Sequence, residues 1–218
     1  MNGLEAGFFI AIDGPSGVGK TTVTELTSAQ LAACGLPVLA TRQPSDSPLG
    51  LLARSSTHDL RGLPLTYLMA ADRHHHFEQV IRPAIDAGRV VVCDRYVVSA
   101  LVLDQIDGAD PDFVWSLYRS LGWPDLAVLL AGDPAVSHAR ALQRGGYSRF
   151  HEGDLATAET EAFLFESAAA MLSRLGYPVV VMPVGDQDAS DVAAQVSAVI
   201  RRRMNDRWRP QQERTTGQ

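Results

Sequence analysis

A chain of 218 residues with 46% hydrophobic and 20% charged residues carries enough apolar material for one ordinary α/β core, and no break in composition divides it. Its 19 Lys and Arg stand against 25 Asp and Glu, a formal net charge of -6, which argues against a surface built to hold nucleic acid and leaves phosphate binding to individual arginines. No apolar run reaches roughly 18 residues and the opening Met-Asn-Gly-Leu-Glu lacks the basic start of a secretion signal, so no membrane partner and a reducing, cytoplasmic setting are expected, with Cys34 and Cys93 as buried free thiols.

Phe8 to Asp13 reads as a buried strand that runs into a glycine-rich turn and then a helix. The spacing Gly14-x-x-x-x-Gly19-Lys20-Thr21 is that of a phosphate-binding loop: its glycines let backbone N–H groups close on an anion at a helix N-terminus, where the helix dipole also favours negative charge. Gly14, Pro15, Ser16, Gly17, Val18, Gly19, Lys20, Thr21 and Thr22 are therefore the expected nucleotide cradle. Lys20 is set to reach the β- and γ-phosphates and Thr21 to ligate Mg²⁺ through its hydroxyl. The following helix ends at Cys34-Gly35, and Pro37 to Thr41 reads as a second strand. It opens into Arg42-Gln43-Pro44-Ser45-Asp46-Ser47-Pro48, a loop at a strand's carboxyl end, where ligands of open α/β sheets bind.

A helical pattern spans Pro64 to Ala87, with a kink expected at Pro83. Arg89 to Cys93 is a continuous apolar strand, the mark of a central parallel strand covered on both faces, and it ends in Asp94-Arg95-Tyr96. Asp94 so placed is a second candidate ligand for Mg²⁺, directly or through water, or a cap for the next helix. Helices follow at Val97 to Asp104 and Asp112 to Leu121, a strand at Leu126 to Ala131, a helix at Pro134 to Gln143 and a flexible opening at Gly145-Gly146. Ala156 to Leu175 is a long helix, Pro178 to Met182 the last strand and Ala189 to Met204 the closing helix. Residues 1–204 thus read as a single domain with a lid at about 143–153, and the polar, unpatterned residues 205–218 as a disordered tail.

Arg42, Arg73 and Arg95 leave three separate elements, and converging guanidinium forks are what a second, acceptor phosphate requires. Arg140, Arg144 and Arg149 flank the Gly145-Gly146 opening, as arginines do that close over a migrating phosphoryl group, with Tyr147 and Phe150 as lid packing. His74-His75-His76 does not read as a metal site, because consecutive helical residues point to different faces.

Ala11-Ile12-Asp13-Gly14 with its loop, Thr41-Arg42-Gln43-Pro44, Ala70-Ala71-Asp72-Arg73, Ile81-Arg82-Pro83-Ala84, Asp94-Arg95-Tyr96-Val97-Val98-Ser99 and Pro124-Asp125-Leu126 together resemble the thymidylate kinase family of nucleoside monophosphate kinases, to about Met204. The resemblance implies a three-layer P-loop kinase fold, a central five-stranded parallel sheet flanked by helices with a mobile lid, and a homodimer. It implies ATP as phosphoryl donor, Mg²⁺, and nucleotides as substrates. Under it Lys20, Arg95, Arg144 and Arg149 are catalytic, Thr21 and Asp94 serve the metal, and Asp13, Arg42, Met69, Arg73, Arg95, Ser99 and Leu103 face the acceptor.

The chain departs from the family where thymidine is recognised. Ser16 stands where an aspartate is usual, Met69 where an aromatic residue stacks on the base, and Ala100-Leu101-Val102-Leu103-Asp104 where Asn or Gln and then Tyr-Gln are frequent. Phosphate readers are kept and base readers replaced, so two expectations stand side by side: an acceptor other than thymidine monophosphate, or thymidine monophosphate read by substitutes such as Tyr67, Tyr96 or Gln105. Two further alternatives are a kinase of a nucleoside or other hydroxyl, with Asp13 as base, and a catalytically inactive ATP-binding regulator.

Overall fold

The computed structural model describes residues 7–145, 150 and 153–215. Five strands, β1 (Phe8–Asp13), β2 (Val38–Arg42), β3 (Val90–Asp94), β4 (Leu126–Ala131) and β5 (Val179–Pro183), form one parallel sheet in the order β2-β3-β1-β4-β5. Every residue of β1 and β3 is buried, because alternate side chains feed two different cores. Phe9, Ala11, Val91, Cys93, Ala127 and Leu129 pack on one face. Phe8, Ile10, Ile12, Val90, Val92 and Val128 pack on the other.

Helices α1 (Lys20–Ala33) and α9 (Ala189–Thr215) cover the second face through Val23, Leu31, Val192, Val196 and Ile200. Helices α5 (Val97–Ile106), α6 (Pro111–Tyr118) and α8 (Leu155–Arg174) cover the first through Val98, Leu101, Val114, Phe165 and Leu172. The three layers follow from that division. In register, Arg42 of β2 and Ile12 of β1 both lie opposite Asp94 of β3, so the carboxyl ends of three strands bring the phosphate loop, Arg42 and Asp94 to one edge.

Several elements differ from the sequence reading. Pro48–Ser55 is a helix, α2, capped by Ser47, whose Oγ accepts from the Gly50 N–H at 3.2 Å with Pro48 at the first helical position. The long pattern from Pro64 resolves into α3 (Leu63–His76), a π-helical turn (Phe77–Ile81) and α4 (Arg82–Asp86). The irregularity sits upstream of Pro83 because its ring lacks an N–H and crowds the carbonyl one turn earlier, which a π-turn accommodates. Helix α7 spans Pro134–Arg144, one residue longer than its sequence pattern indicates. The closing helix continues past Met204 to Thr215, through residues such as Arg207, Gln211, Gln212 and Glu213 that suit a helix, and Arg207 pairs with Asp125. Cys34, expected to be buried, is exposed at the end of α1, whereas Cys93 is buried in β3. No helix among the described residues is long and apolar enough to cross a membrane.

Candidate active site

Left-handed φ angles of 78° at Gly17 and 103° at Gly19 turn the chain between β1 and α1. A Cβ on Gly17 would stand 1.9 Å from the Ser137 carbonyl oxygen, so only glycine lets the loop lie against α7. Lys20, on the first turn of α1, is buried, and its Nζ donates to the Pro15 carbonyl at 2.6 Å across the loop. Burial first, then the charge of Arg95, pulls its pKa down to about 7. Next to it Thr21 Oγ1 donates to Asp94 Oδ2 at 2.6 Å, while Asp94 Oδ1 is buried without a hydrogen-bond partner. Asp94 does not cap α5. Of the other loop residues, Val18 packs into the core, and Thr22 is exposed on α1.

A cavity of about 370 Å³ opens beside this loop, lined by Gly17, Gly19, Lys20, Thr21 and Asp94 on one side and by arginines on others. Arg42, Arg73 and Arg95 all reach it, as their spacing in the sequence anticipates, and Arg144 at the end of α7 reaches it too. Arg42 pairs with Asp46 at 2.6 Å. Arg73 is buried; it donates from Nη1 to the Tyr118 hydroxyl at 3.1 Å and lies over that ring, while its Nε has no partner. The neighbouring Asp72 instead accepts from the Ser45 N–H at 2.7 Å and the Ser47 hydroxyl at 3.2 Å, fixing the loop after β2 on α3. Arg95 has φ of 69°, the only positive value at a non-glycine among the described residues, and its Nη1 donates to Ser99 Oγ at 3.4 Å. Met69 and Leu103 supply apolar wall. Arg149 and Tyr147 lie outside the described residues. Phe150, expected only to pack the lid, lines the cavity and packs with Leu65 and Met69.

The thymidylate kinase family model matches residues 12–171. A probable thymidylate kinase of Pyrobaculum aerophilum is 32% identical over 199 residues, 88% of this chain and 98% of that one. The thymidylate kinase of Magnetococcus marinus is 34% identical over 215 residues, 93% of this chain and 97% of its own, and that of Deinococcus radiodurans 36% over 163 residues, 70% and 78%. The chain belongs to the thymidylate kinase family. It is accordingly an ATP-dependent nucleoside monophosphate kinase. Within this thymidylate kinase fold several features of the site differ from, or add to, what the sequence indicates.

Asp13, expected to face the acceptor, is fully buried and outside the cavity lining. Its Oδ1 accepts from the N–H groups of Tyr96 at 2.9 Å and Ser99 at 3.0 Å, so it caps α5 from a neighbouring strand, and burial raises its pKa. Ser99 itself does not line the cavity; it touches Arg95 from behind. Of the possible substitute readers, Tyr96 is buried with its hydroxyl on the Gly122 carbonyl at 2.7 Å, and Tyr67 is 54% exposed against Phe113. His74 turns to the Leu117 carbonyl and His76 to Thr41 and Gln43, so the three consecutive histidines do not converge.

Arg54 of α2 lines the cavity while its Nη2 donates to the carbonyls of Pro44 and Ser45 at 2.7 and 2.9 Å. The sequence carries no signal for it. Glu161 of α8 is buried, and its two oxygens accept from the Ser16 N–H and the Ser16 hydroxyl, each at 3.1 Å. Family aspartate is thus absent at residue 16, but a carboxylate arrives at the same place from another helix. Its signal lay in α8, where Glu161 occupies the buried stripe of Phe165, Ala169 and Leu172. Ser16→Asp is expected to set two carboxylates together in a buried site and lower stability by about 1–3 kcal/mol. Adding Glu161→Ser should restore most of that loss. Urea denaturation of the single and double variants checks this, and a Ser16→Asp protein as stable as the parent would contradict it.

Proposed function

We propose that this chain transfers the γ-phosphoryl group of ATP to the phosphate of a deoxynucleoside monophosphate bound in the 370 Å³ cavity. The observation that carries the reading is that one cavity joins the Lys20 loop to Arg42, Arg54, Arg73 and Arg95. A nucleotide hydrolase needs the first group and has no use for the second. Catalysis then rests on position and charge: Lys20 and Arg95 stabilise charge on the migrating group, the family resemblance assigns Arg144 and Arg149 to assist the transfer, and Arg42 and Arg73 hold the acceptor side. No strong general base is needed, since an acceptor phosphate oxygen is already anionic near neutral pH.

Thr21 and Asp94 fit Mg²⁺. Both offer hard oxygen donors, Asp94 Oδ1 has no protein partner, and a pair of protein ligands completed by phosphate and water suits this ion. When bound, Mg²⁺ would neutralise charge shared between the β- and γ-phosphates. The family resemblance supports a homodimer, ATP as donor a cytoplasmic site of action, and the net charge of -6 counts against a nucleic-acid partner. The burial of Asp13 counts against a hydroxyl-phosphorylating kinase that would need it as a base.

A coupled ADP-release assay with ATP and Mg²⁺ tests the reading. ADP should form when a deoxynucleoside monophosphate is added and not with the corresponding nucleosides. Equal ADP formation with and without a monophosphate would assign the site to hydrolysis instead.

A further inference from the structure

Glu161 stands on α8 one turn before Phe165, on the stripe that Phe165, Ala169 and Leu172 carry into the core. It is 5% exposed, and a carboxylate buried on an apolar face is costly unless its oxygens are taken up. Both are taken up by one residue of the phosphate loop: Oε2 accepts from the Ser16 N–H and Oε1 from the Ser16 hydroxyl, each at 3.1 Å. Two contacts on one residue form a fork, which fixes the direction of the Ser16 backbone as well as its position. The next residue is braced from the other side, since Gly17 lies against the Ser137 carbonyl of α7. Ser16 and Glu161, with His138, Ala141 and Thr157, line the seam in which α7 and α8 hold this half of the loop. The rest is held from within, where the Val18 N–H and the Lys20 ammonium both donate to the Pro15 carbonyl, at 3.3 and 2.6 Å.

We propose that Glu161 is a positioning residue of the transfer reaction, holding the phosphate loop from α8 in the shape that receives the donor's phosphates before nucleotide arrives. The inference rests on the kinase reading above, which makes this loop the donor's cradle. A glycine-rich loop that closes on an anion through its own N–H groups must be ordered to do so, and ordering it at the moment of binding subtracts from affinity. Gly14, Gly17 and Gly19 give the loop that freedom, and the fork on Ser16 removes it in the middle of the run. The charge of Glu161 acts in two opposed directions, since it favours the ammonium of Lys20 and opposes the anionic phosphates. The contribution of Glu161 is therefore its two hydrogen bonds, not its negative charge. Glutamine reproduces the fork, its carbonyl accepting from the Ser16 N–H and its amide donating to the Ser16 oxygen. Leucine fills the same space on the apolar stripe and reproduces neither contact.

The test measures ADP affinity in the presence of Mg²⁺ by titration calorimetry, together with KM for ATP and KM for the deoxynucleoside monophosphate that yields most ADP. It compares the full-length parent with Glu161→Leu and Glu161→Gln, each shown to be folded by a cooperative urea transition. Glu161→Leu should weaken ADP binding and raise the ATP KM by about tenfold, the scale of losing hydrogen bonds to a charged group, with the acceptor KM within about twofold of the parent. Glu161→Gln should return ADP affinity and ATP KM to within about threefold of the parent. A residue kept only for the fold would leave nucleotide binding at the parent level once leucine completes the stripe, and that result overturns the proposal. So does a glutamine variant as weak as the leucine one, which assigns the effect to charge, or a loss confined to the acceptor KM. If Glu161→Leu does not fold, Glu161→Met takes its place and is read the same way. The calorimetry needs no turnover: a parent that binds ADP yet forms no more of it from ATP than Lys20→Ala does, with any monophosphate, defeats the kinase reading, while the Glu161 series still decides this inference.

Discussion

Lys20→Ala is expected to lower turnover at least about a hundredfold, the scale of losing one preorganised charge stabiliser. Lys20 is the sole lysine of the loop, buried on the first turn of α1 and tied to the Pro15 carbonyl at 2.6 Å. Its ammonium therefore stands in the loop before nucleotide arrives, with little of the chain left to reorganise. Neighbouring donors do not replace it: Thr21 donates to Asp94, and Arg95 reaches the cavity from the other strand. Truncation leaves the Pro15 carbonyl without this donor, so Lys20→Met, which keeps the apolar stem, is the companion variant. Both should show the loss in steady-state ADP release while retaining a cooperative urea transition. Turnover within a few-fold of the parent in the methionine variant would remove Lys20 from the chemistry.

What the sequence made legible follows from how each feature is encoded. The strands β1, β3 and β4 are legible because burial on both faces writes them as unbroken apolar runs, and the phosphate loop because its glycines are required by the backbone itself. Asp94 and the three arginines are legible because each lies in a motif at the carboxyl end of a strand or on the long helix beside it. Partners across elements were not. Nothing near Ser16 announces a carboxylate that arrives from Glu161, 145 positions away, and nothing near Asp13 announces that it accepts from Tyr96, 83 positions later, at the start of a helix. Polar residues inside apolar stripes were the usable signal: Glu161 on α8, and Asp104 at the end of an apolar run on α5, are there because the fold carries a buried charge to the site. The helix α2 went unread for a different reason, since its Ser47-Pro48 start also suits a turn, and local sequence alone does not separate the two.

Arg95→Ala and Arg95→Gly are expected to lose turnover alike and to part company in stability. The residue adopts φ of 69° where β3 passes into α5, with its N–H on the Ile12 carbonyl at 2.9 Å, so the backbone is strained for any side chain with a Cβ. That turn is what aims the guanidinium into the cavity beside Lys20 rather than along the sheet. Both variants remove the charge and should lose about a hundredfold in turnover, comparable to removing one electrostatic stabiliser of the transferring phosphoryl group. Their stabilities should differ. Glycine adopts the left-handed conformation at no steric cost whereas alanine does not, so Arg95→Gly should exceed Arg95→Ala by about 1 kcal/mol in urea denaturation, after the larger entropy of the glycine chain when unfolded. An arginine retained for its contact with Ser99 alone would leave turnover near the parent level in both variants, with stability falling in step. Turnover lost equally in the two, while the strain is relieved in only one, identifies a side chain placed against a backbone preference because the phosphate site requires it there.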